Sequence, residues 1–193
     1  MFLEEIEVKE PLPMEVEAGP DFIEIQLGDS VTLIANATNA VGNVGYEWSA
    51  AYDGTLSCDF CKYTNSSPMS SIIYTLYGED ENGCFDTDKI EVRVQKERKI
   101  FVPTAFTPNQ DLTNDLLLVH GKEGTQIKLY RIYDRWGELI YEAKDFMIND
   151  PNTGWDGMFR SKPVNTGIYQ WYLEVEFIDE ATDVFKGHTT LIR

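Results

Sequence analysis

The sequence predicts an all-β protein made of two tandem antiparallel β-sandwich domains, and three observations lead to this prediction. First, apolar and polar residues alternate with a period of two over much of the chain, as in strands that bury one face. Second, no stretch shows the 3.6-residue period of an amphipathic helix. Third, glycine and proline recur at short intervals between the strand-like segments, which is typical of a sandwich.

The alternation is clearest in three segments. Residues 31–37 and 90–94 carry apolar side chains at every second position, and residues 169–177 form the longest stripe of this kind. Residues 127–133 are apolar on both faces, which predicts a central strand. Trp48 stands where a sandwich places its buried central tryptophan.

Turn residues separate the strand-like segments. The pairs Gly28-Asp29, Asn82-Gly83 and Trp136-Gly137 each lie between two such segments. Residues of these types tolerate the positive φ that tight hairpin turns need. We therefore expect a turn at each of the three places.

A polar run from Gln95 to Lys99 divides the chain, because an amphipathic strand ends before it and a new one begins after it. We predict a first module at residues 21–96 and a second at residues 100–193. Residues 1–20 are interpreted as the end of a preceding module and a linker, with Ile6-Glu7-Val8 as its last strand and prolines and glycine after it.

The composition excludes several classes of function. Sixteen basic and 33 acidic residues give a formal charge of −17, so phosphate backbones and anionic membrane surfaces would repel the chain. No apolar run reaches the about 20 residues that a membrane-spanning helix needs. Residues 1–5 lack the basic and apolar regions of a signal peptide, and we interpret the chain as a fragment of a longer exported protein. We expect no nucleic-acid partner and no direct membrane insertion.

The three cysteines, Cys58, Cys61 and Cys84, permit at most one internal disulfide. A zinc site would need four ligands, and only His120 and His188 remain, both far along the chain. A thioredoxin-like motif would need a helix after the cysteine pair, and no helical pattern follows. We favour a loop disulfide and leave its pairing among the three cysteines open.

The first module resembles the immunoglobulin-like (Ig-like) and PKD-like repeats of bacterial surface proteins. The resemblance depends on residues 28–33, 46–48 and 74–84, which match the early hairpin, the central aromatic and the last hairpin of such repeats. It implies a spacer that holds other domains away from a surface. A ligand-binding adhesin module is the alternative.

The second module contains a series of short motifs. In chain order they are Phe101-Val102-Pro103-Thr104-Ala105-Phe106-Thr107-Pro108-Asn109, Ile132-Tyr133-Asp134-Arg135-Trp136-Gly137-Glu138-Leu139-Ile140, Gly154-Trp155-Asp156-Gly157, Lys162-Pro163-Val164, Gly167-Ile168-Tyr169 and Lys186-Gly187-His188-Thr189-Thr190-Leu191-Ile192-Arg193. Together they resemble the gliding-motility-associated C-terminal domain of Bacteroidetes, the type B sorting domain of the type IX secretion system. The resemblance implies a folded sorting signal that directs its protein through the periplasm to the cell surface or the medium. The implied partner is the type IX translocon or an outer-membrane docking protein.

Two positions depart from the family pattern. The family usually has glycines in a Pro-Asn-Gly-Asp-Gly loop, where this chain has Gln110 and Leu112. A tight, glycine-dependent turn is therefore in question here. Met158 replaces the usual small or polar residue after Trp-Asp-Gly.

We predict that partner recognition uses the opening motif, a tryptophan and the chain end. The candidate residues are Phe106, Thr107, Pro108, Asn109, Trp136, Lys186, Gly187, Leu191, Ile192 and Arg193. Residues 184–193 form a candidate terminal strand whose unpaired edge a partner could extend. Its two basic residues could anchor a carboxylate of the partner, with simple solvation as the alternative.

Asp111, Asn114 and Asp115 put three short oxygen-bearing side chains in one loop, the kind of ligand that calcium prefers. The alternative is that they cap turns through hydrogen bonds to the backbone. We expect no other cofactor. For Trp136 and Trp155 we expect packing in the core or at its rim, with Asp156 as a turn cap.

No Gly-x-Ser-x-Gly nucleophile motif occurs, and neither histidine has a serine or cysteine in a nucleophile context nearby, so we predict no enzymatic activity. The alternative function is that of an adhesin tip that binds polysaccharide or a host protein. In that case exposed aromatic side chains such as Tyr63, Trp136 or Phe159 would form the stacking platform.

Overall fold

The computed structural model describes residues 12–52 and 55–193, and all of them lie in strands, turns or loops. None of these residues forms a helix that could cross a membrane. The chain divides into two compact units, Met1–Lys96 and Glu97–Arg193. The predicted all-β sandwich class is confirmed. Ile6-Glu7-Val8, interpreted above as a strand, lies outside the described residues.

The first unit pairs a four-stranded sheet with two short ribbons. Its described strands are β1 (Glu15–Glu17), β2 (Phe22–Gln26), β3 (Val31–Ile34), β4 (Asn36–Thr38), β5 (Val44–Ala50), β6 (Tyr63–Ser66), β7 (Ile72–Asp80) and β8 (Phe85–Gln95). The sheet has the order β2-β8-β7-β5, and the ribbons are β1–β4 and β3–β6. Pairing is antiparallel except between β2 and β8, which run parallel.

Apolar and polar side chains alternate along these strands, and the apolar ones form the core of the first unit. Ile90 and Val92 of β8 and Leu33 of β3 are buried, as the period-two pattern predicts. Trp48 is 2% exposed, which confirms its predicted central position. Its indole N–H donates to the carbonyl of Cys61 at 3.0 Å, so the polar end of the ring is satisfied.

Residues 14–18 belong to the first unit, so their interpretation as linker is wrong. Val16 is 4% exposed and pairs with Ala37 of β4. The backbone N–H groups of Val16 and Ala18 donate to the carboxylates of Asp86 and Asp88 at 2.9 and 2.8 Å. The flanking Pro and Gly residues suggested a linker. The partners of this strand lie 19 to 70 positions away, so no local pattern indicates that it is paired.

A disulfide joins Cys58 and Cys61, and Cys84 is a free, exposed thiol. The prediction of a loop disulfide is thus confirmed, and the pairing is decided. Its loop covers the outer edge of β5, because the backbone N–H of Trp48 donates to the carbonyl of Asp59 at 2.7 Å. This hydrogen bond gives the backbone N–H of Trp48, on the edge strand of the sheet, a partner that it would otherwise lack.

The hairpin between β7 and β8 is held by one carboxylate. Asp80 is 6% exposed and accepts backbone N–H groups from Val41, Asn82 and Cys84 at 3.0, 2.9 and 2.9 Å. These hydrogen bonds, that from Val41 foremost, hold the pKa of Asp80 below its ordinary value. The charged carboxylate therefore stabilises the folded hairpin.

We expect Asp80→Asn to lower the midpoint of urea unfolding at pH 7, because an amide accepts these N–H bonds less well. The pKa of Asp80 is lower in the folded than in the unfolded state. The contribution of Asp80 to stability is therefore complete above its unfolded-state pKa of about 3.9. It is lost as pH falls through its lower, folded-state pKa. The difference between variant and parent should shrink from pH 7 to pH 3. Asp59→Asn, whose carboxylate accepts no hydrogen bond from the described residues, is the control; a constant difference would contradict the expectation.

The second unit is built on a five-stranded sheet. Its described strands are β9 (Ile100–Phe101), β10 (Ala105–Phe106), β11 (His120–Gly121), β12 (Gln126–Tyr133), β13 (Leu139–Met147), β14 (Met158–Phe159), β15 (Lys162–Pro163), β16 (Gly167–Glu176) and β17 (Thr182–Leu191). The sheet has the order β10-β17-β16-β12-β13, and β9–β11 and β14–β15 form separate ribbons. β10 runs parallel to β17, and the other pairs of the sheet are antiparallel.

The predicted central strand and apolar stripe both bury their side chains. β12 lies between β16 and β13, and its Ile127, Tyr130 and Ile132 are fully buried. On β16, Leu173 and Val175 are at most 1% exposed. They pack in one core with side chains from the ribbons and loops on the other side.

Candidate functional site

One end of the second unit brings together motifs that are far apart in the sequence. β10 leads into residues 107–109 beside the end of β17, and Phe106 pairs with Leu191. Backbone hydrogen bonds extend this contact, since Ile192 N–H donates to the Phe106 carbonyl at 3.1 Å. The β14–β15 ribbon adjoins it, since Arg193 Nη1 donates to the carbonyl of Val164 at 2.6 Å. We call this region the motif end.

Gly157 is the point of closest approach at the motif end. A Cβ atom on it would lie 2.8 Å from Leu191 Cδ1, 2.9 Å from Pro108 Cγ and 3.4 Å from Arg193 Nη2. Its φ of +72° is also one that L side chains rarely adopt. Glycine is therefore required where the opening motif, the Trp-Asp-Gly turn and the chain end meet.

Trp155 anchors the motif end to the core. Its side chain is fully buried, with ring centroids 5.3 Å from Phe106 and 4.9 Å from Tyr169. Its indole N–H donates to the carbonyl of Met158 at 2.9 Å. Asp156 accepts the backbone N–H of Met158 at 2.9 Å. The predictions of core packing for Trp155 and of turn capping for Asp156 are confirmed.

Two of the predicted recognition residues cannot touch a partner directly. Phe106 is 1% exposed and Leu191 is fully buried, because both face the core beside Trp155. Their assignment to a contact surface is wrong. They pack beneath the exposed residues of the motif end instead.

The chain end is held by its last side chain. Arg193 donates from Nη1 to the carbonyl of Val164 at 2.6 Å and from Nη2 to that of Gly157 at 3.1 Å. These bonds attach the terminus to both sides of the β14–β15 ribbon. Ile192, between two tethered residues, is 45% exposed.

Carboxylates organise the acidic loop that follows Pro108. Asp115 accepts backbone N–H groups from Asn109, Gln110 and Leu112 at 2.8, 2.6 and 2.8 Å, with both of its oxygens engaged. Asp111 accepts the N–H of Thr113 at 2.8 Å. These are turn-capping contacts.

Calcium binding by Asp111, Asn114 and Asp115 stays a prediction. Within residues 12–52 and 55–193, no group of three or more His, Cys, Asp or Glu side chains is arranged to hold a metal ion. The carboxylates of this loop already accept amide hydrogen bonds, so a cation would have to compete with them.

The acidic loop keeps glycine-like backbone geometry without glycine. Gln110 has φ +66° and Leu112 has φ +69°, at the positions where the sequence put a glycine-dependent turn in question. The turn is therefore present, and the amide bonds to Asp115 hold it. Left-handed backbone is unfavourable for L residues by about 1–2 kcal/mol each.

We expect Leu112→Gly to raise the free energy of unfolding by about 0.5–1 kcal/mol, because glycine removes the left-handed strain but adds freedom to the unfolded chain. The Leu112 side chain is 96% exposed, so little packing is lost. Leu112→Ala keeps the strain and should leave stability nearly unchanged. Urea denaturation of both variants tests this, and equal stability of the two would contradict it.

Trp136 lies at the tip of the β12–β13 hairpin and is 86% exposed, so its predicted packing against the sheet is wrong. Asp134 Oδ1 accepts the backbone N–H groups of Trp136 and Glu138 at 2.8 and 2.9 Å. Gly137 completes the turn with φ +83°. This tight cap directs the indole into solvent, where a partner can reach it.

Two clefts flank the β14–β15 ribbon, and Pro163 lines both. One, of about 470 Å³, lies beside Trp136 and reaches Ile168 and Tyr169. The other, of about 440 Å³, lies between the acidic loop and Arg193.

Arg135 was missed as a site residue by the sequence reasoning, although it adjoins Trp136 in the same motif. Its Nη2 lies 3.4 Å from the place a Cβ on Gly167 would take, so that glycine leaves room for the guanidinium. Burial raises the pKa of Tyr169, and the positive charges of Arg135 and Arg193 oppose this effect. Both guanidinium groups therefore act on the same part of the motif end.

The outer edge of β17 is open along only part of its length. β10 pairs with it at Thr190 and Leu191. The open edge is therefore shorter than the predicted 184–193 and lies N-terminal to these two residues. Lys186 is exposed on the open part. A Cβ on Gly187 would overlap the ring of Trp171 on β16, so close packing between the two strands requires this glycine.

Residues 100–191 match the CHU_C type IX secretion signal domain family. No curated protein matches the sequence.

Among solved structures, the chain is similar to the PKD domain from the KIAA 1837 protein, at 22% identity and TM-score 0.37, over 44% of this chain and 88% of that one. It is similar to Sidekick-1 immunoglobulin domains 1–5 at 13% identity and TM-score 0.47, over 93% of this chain and 39% of that one. The SGBP-B protein of a Bacteroides ovatus mixed-linkage glucan utilization locus matches at 13% identity and TM-score 0.34, over 94% of this chain and 48% of that one. The chain thus spans less than half the length of the last two.

The family match extends from β9 to the last residue of β17 and includes every motif of the second unit except the final two residues. Such a domain implies an interaction with the secretion machinery and export of the protein that carries it. Residues 100–191 of this chain are a CHU_C type IX secretion signal domain, a sorting signal for the cell surface or the extracellular space.

Proposed function

We propose that the type IX translocon reads the second unit as a folded surface at its motif end, after passage of the protein into the periplasm. The observation that carries this proposal is the meeting of the opening motif, the Trp-Asp-Gly turn and the chain end around Gly157. Motif residues that are buried there, such as Phe106 and Leu191, hold the exposed ones in place.

A folded signal fits the contacts of the chain end better than a linear one. Leu191 is fully buried and Arg193 is bonded to two backbone carbonyls, so a receptor that needed an extended C-terminal peptide would first have to break these contacts. A receptor that reads shape and charge meets Pro108, Asn109, Ile192 and Trp136 without such a change. In this proposal the first unit is a spacer.

The test uses a fluorescent protein with a Sec leader, followed by residues 97–193. Residues 1–96, the other β-sandwich of the same chain, make a size-matched control fusion. We expect surface or medium fluorescence only with residues 97–193, and only in a strain with an intact type IX translocon. Periplasmic retention of both fusions would contradict the sorting proposal.

Adhesion is a second candidate, and the exposure of Trp136 beside a cleft that Phe159 also lines is the observation in its favour. Tyr63, 60% exposed, belongs to the first unit. An adhesin predicts that Trp136→Ala leaves delivery to the surface intact and abolishes binding to polysaccharide or host protein. A sorting signal that uses Trp136 predicts reduced delivery instead.

Retention at the surface through an outer-membrane docking protein is compatible with sorting. In the fusion experiment, washing intact cells after export distinguishes retention at the surface from release into the medium. Fluorescence that stays with cells carrying residues 97–193 supports docking, and fluorescence in the medium alone contradicts it.

A further inference from the structure

The first unit carries a cleft at the outer edge of its four-stranded sheet, beside the disulfide loop. The cleft has a volume of about 380 Å³ and is lined by β5, by Tyr52, Thr55 and Leu56, and by Asp59 and Phe60 of the loop. This volume lies within the about 300–1,000 Å³ of small-ligand sites. The cleft belongs to the unit that the sorting function needs only as a spacer.

The disulfide loop holds Asp59 and Phe60 in fixed positions beside the cleft. A bond between Cys58 and Cys61 closes the loop. The carbonyl of Asp59 accepts the backbone N–H of Trp48 at 2.7 Å, and the carbonyl of Cys61 accepts its indole N–H at 3.0 Å. Phe60 is nonetheless 73% exposed. An apolar ring held in water contributes little to stability, whereas a ring fixed in advance favours binding.

Among the described residues that line the cleft, all those with a charged side chain are acidic. They are Glu47 and Asp59, and neither carboxylate forms a hydrogen bond or an ion pair with another described residue. The first unit as a whole holds 5 basic and 18 acidic residues, a formal charge of −13. A cationic group is therefore attracted to the cleft and finds carboxylates that are free to pair with it.

Aromatic rings and backbone carbonyls accompany these carboxylates. Tyr52 is 46% and Phe60 73% exposed, so both rings are accessible to a ligand. β5 is an edge strand, and the backbone N–H of Trp48 points to its outer side. Because the backbone groups of alternate residues in an antiparallel strand point to the same side, the carbonyls of Trp48 and Ala50 face this edge too. A guanidinium is planar, stacks on aromatic rings and has five N–H donors for such acceptors.

We propose that this cleft binds an arginine side chain from a basic segment of a protein partner, with the guanidinium stacked on Phe60 and paired with Asp59. A neutral polysaccharide would leave both carboxylates without a counter-charge, and an acidic ligand would be repelled by the −13 unit. Lysine pairs with a carboxylate but lacks the planar group that stacks on a ring. The inference goes beyond the proposed function, since it gives the first unit a ligand of its own.

Nuclear magnetic resonance of the full chain at about 150 mM salt tests the cleft. At this ionic strength charges more than about 8 Å apart are largely screened, so general attraction to the acidic chain is weak. The probe is an N-acetylated, C-amidated five-residue peptide with arginine at its centre and glycine elsewhere. The control peptides carry lysine or uncharged citrulline instead. We expect the arginine peptide to shift the backbone amides of Asp59 and Phe60 saturably, the lysine peptide to bind more weakly and the citrulline peptide not to bind.

Matched variants separate the cleft from the net charge. Asp59→Asn keeps the backbone carbonyl that accepts the Trp48 N–H, so it should fold normally and weaken binding of the arginine peptide about tenfold. Phe60→Ala removes an exposed ring and should weaken binding about two- to fivefold. Glu24→Gln removes the same charge on β2, at the opposite edge of the sheet, and should leave the affinity unchanged.

Equal weakening by Asp59→Asn and Glu24→Gln would show a nonspecific effect of net charge and overturn the proposal. Absence of saturable shifts, unchanged affinity in Asp59→Asn or Phe60→Ala, or equal binding of the lysine peptide would overturn it too. Tighter binding of a neutral oligosaccharide, such as cellohexaose, at the same amides would assign the cleft to a sugar instead. None of these results affects the sorting proposal, because its fusion of residues 97–193 does not contain the cleft.

Discussion

We expect Trp155→Ala to destabilise the second unit by about 3–5 kcal/mol, the range for loss of a large aromatic side chain from a core. The indole is fully buried, packs on Phe106 and Tyr169, and bonds to the Met158 carbonyl. Domains of this size are stable by only about 5–15 kcal/mol, so much of the stability would be lost. The free energy of unfolding of the full chain in urea measures the effect.

Trp136→Ala is the matched control, because both tryptophans stand in short motifs closed by glycine. With 86% of its side chain exposed, Trp136 should change stability by no more than about 0.5 kcal/mol. A similar loss of stability in both variants would contradict the burial that separates them.

The second large effect is expected for Gly157→Ala. The new Cβ would lie 2.8 Å from Leu191 Cδ1 and 2.9 Å from Pro108 Cγ, in backbone of φ +72°. Overpacking of about 1–3 kcal/mol and left-handed strain of about 1–2 kcal/mol together predict a loss of about 2–5 kcal/mol. The urea midpoint of the variant measures this loss.

Gly137→Ala separates the effect of left-handed backbone strain from the effect of overpacking. Its φ of +83° carries the same strain, but no heavy atom lies within 4 Å of the new Cβ. We therefore expect only about 1–2 kcal/mol for this variant. If Gly137→Ala were as destabilising as Gly157→Ala, close packing at Gly157 would not be the reason for its glycine.

The fold class could be predicted from the sequence because strand alternation is a local property. Ile90 and Val92, or Leu173 and Val175, have buried positions that follow from their spacing alone. The glycine turns were predictable for the same reason: Gly28, Gly83 and Gly137 all have positive φ. The resemblance of the second module to a sorting domain also came from short motifs in a fixed order, and the family match agrees with it.

Local patterns were a poor guide where distant residues decide the structure. β1 was interpreted as linker because three residues between Pro and Gly carry little pattern of their own. Its burial follows from β4 and from Asp86 and Asp88, which no local window contains. The positive φ at Gln110 and Leu112 was likewise hidden, since the carboxylate of Asp115 holds a backbone that those residues disfavour alone.

The sequence by itself determined the β-sandwich class, the turn positions and the identity of the second unit as a sorting domain, because each depends on neighbouring residues. Only the tertiary structure decided which motif residues are buried and which are exposed. Trp155 is covered and Trp136 exposed although their motifs look alike, because one turn lies over the core and the other at a hairpin tip. Likewise Arg135 and Gly167 meet across 32 positions, because the pairing of β12 with β16 brings them together.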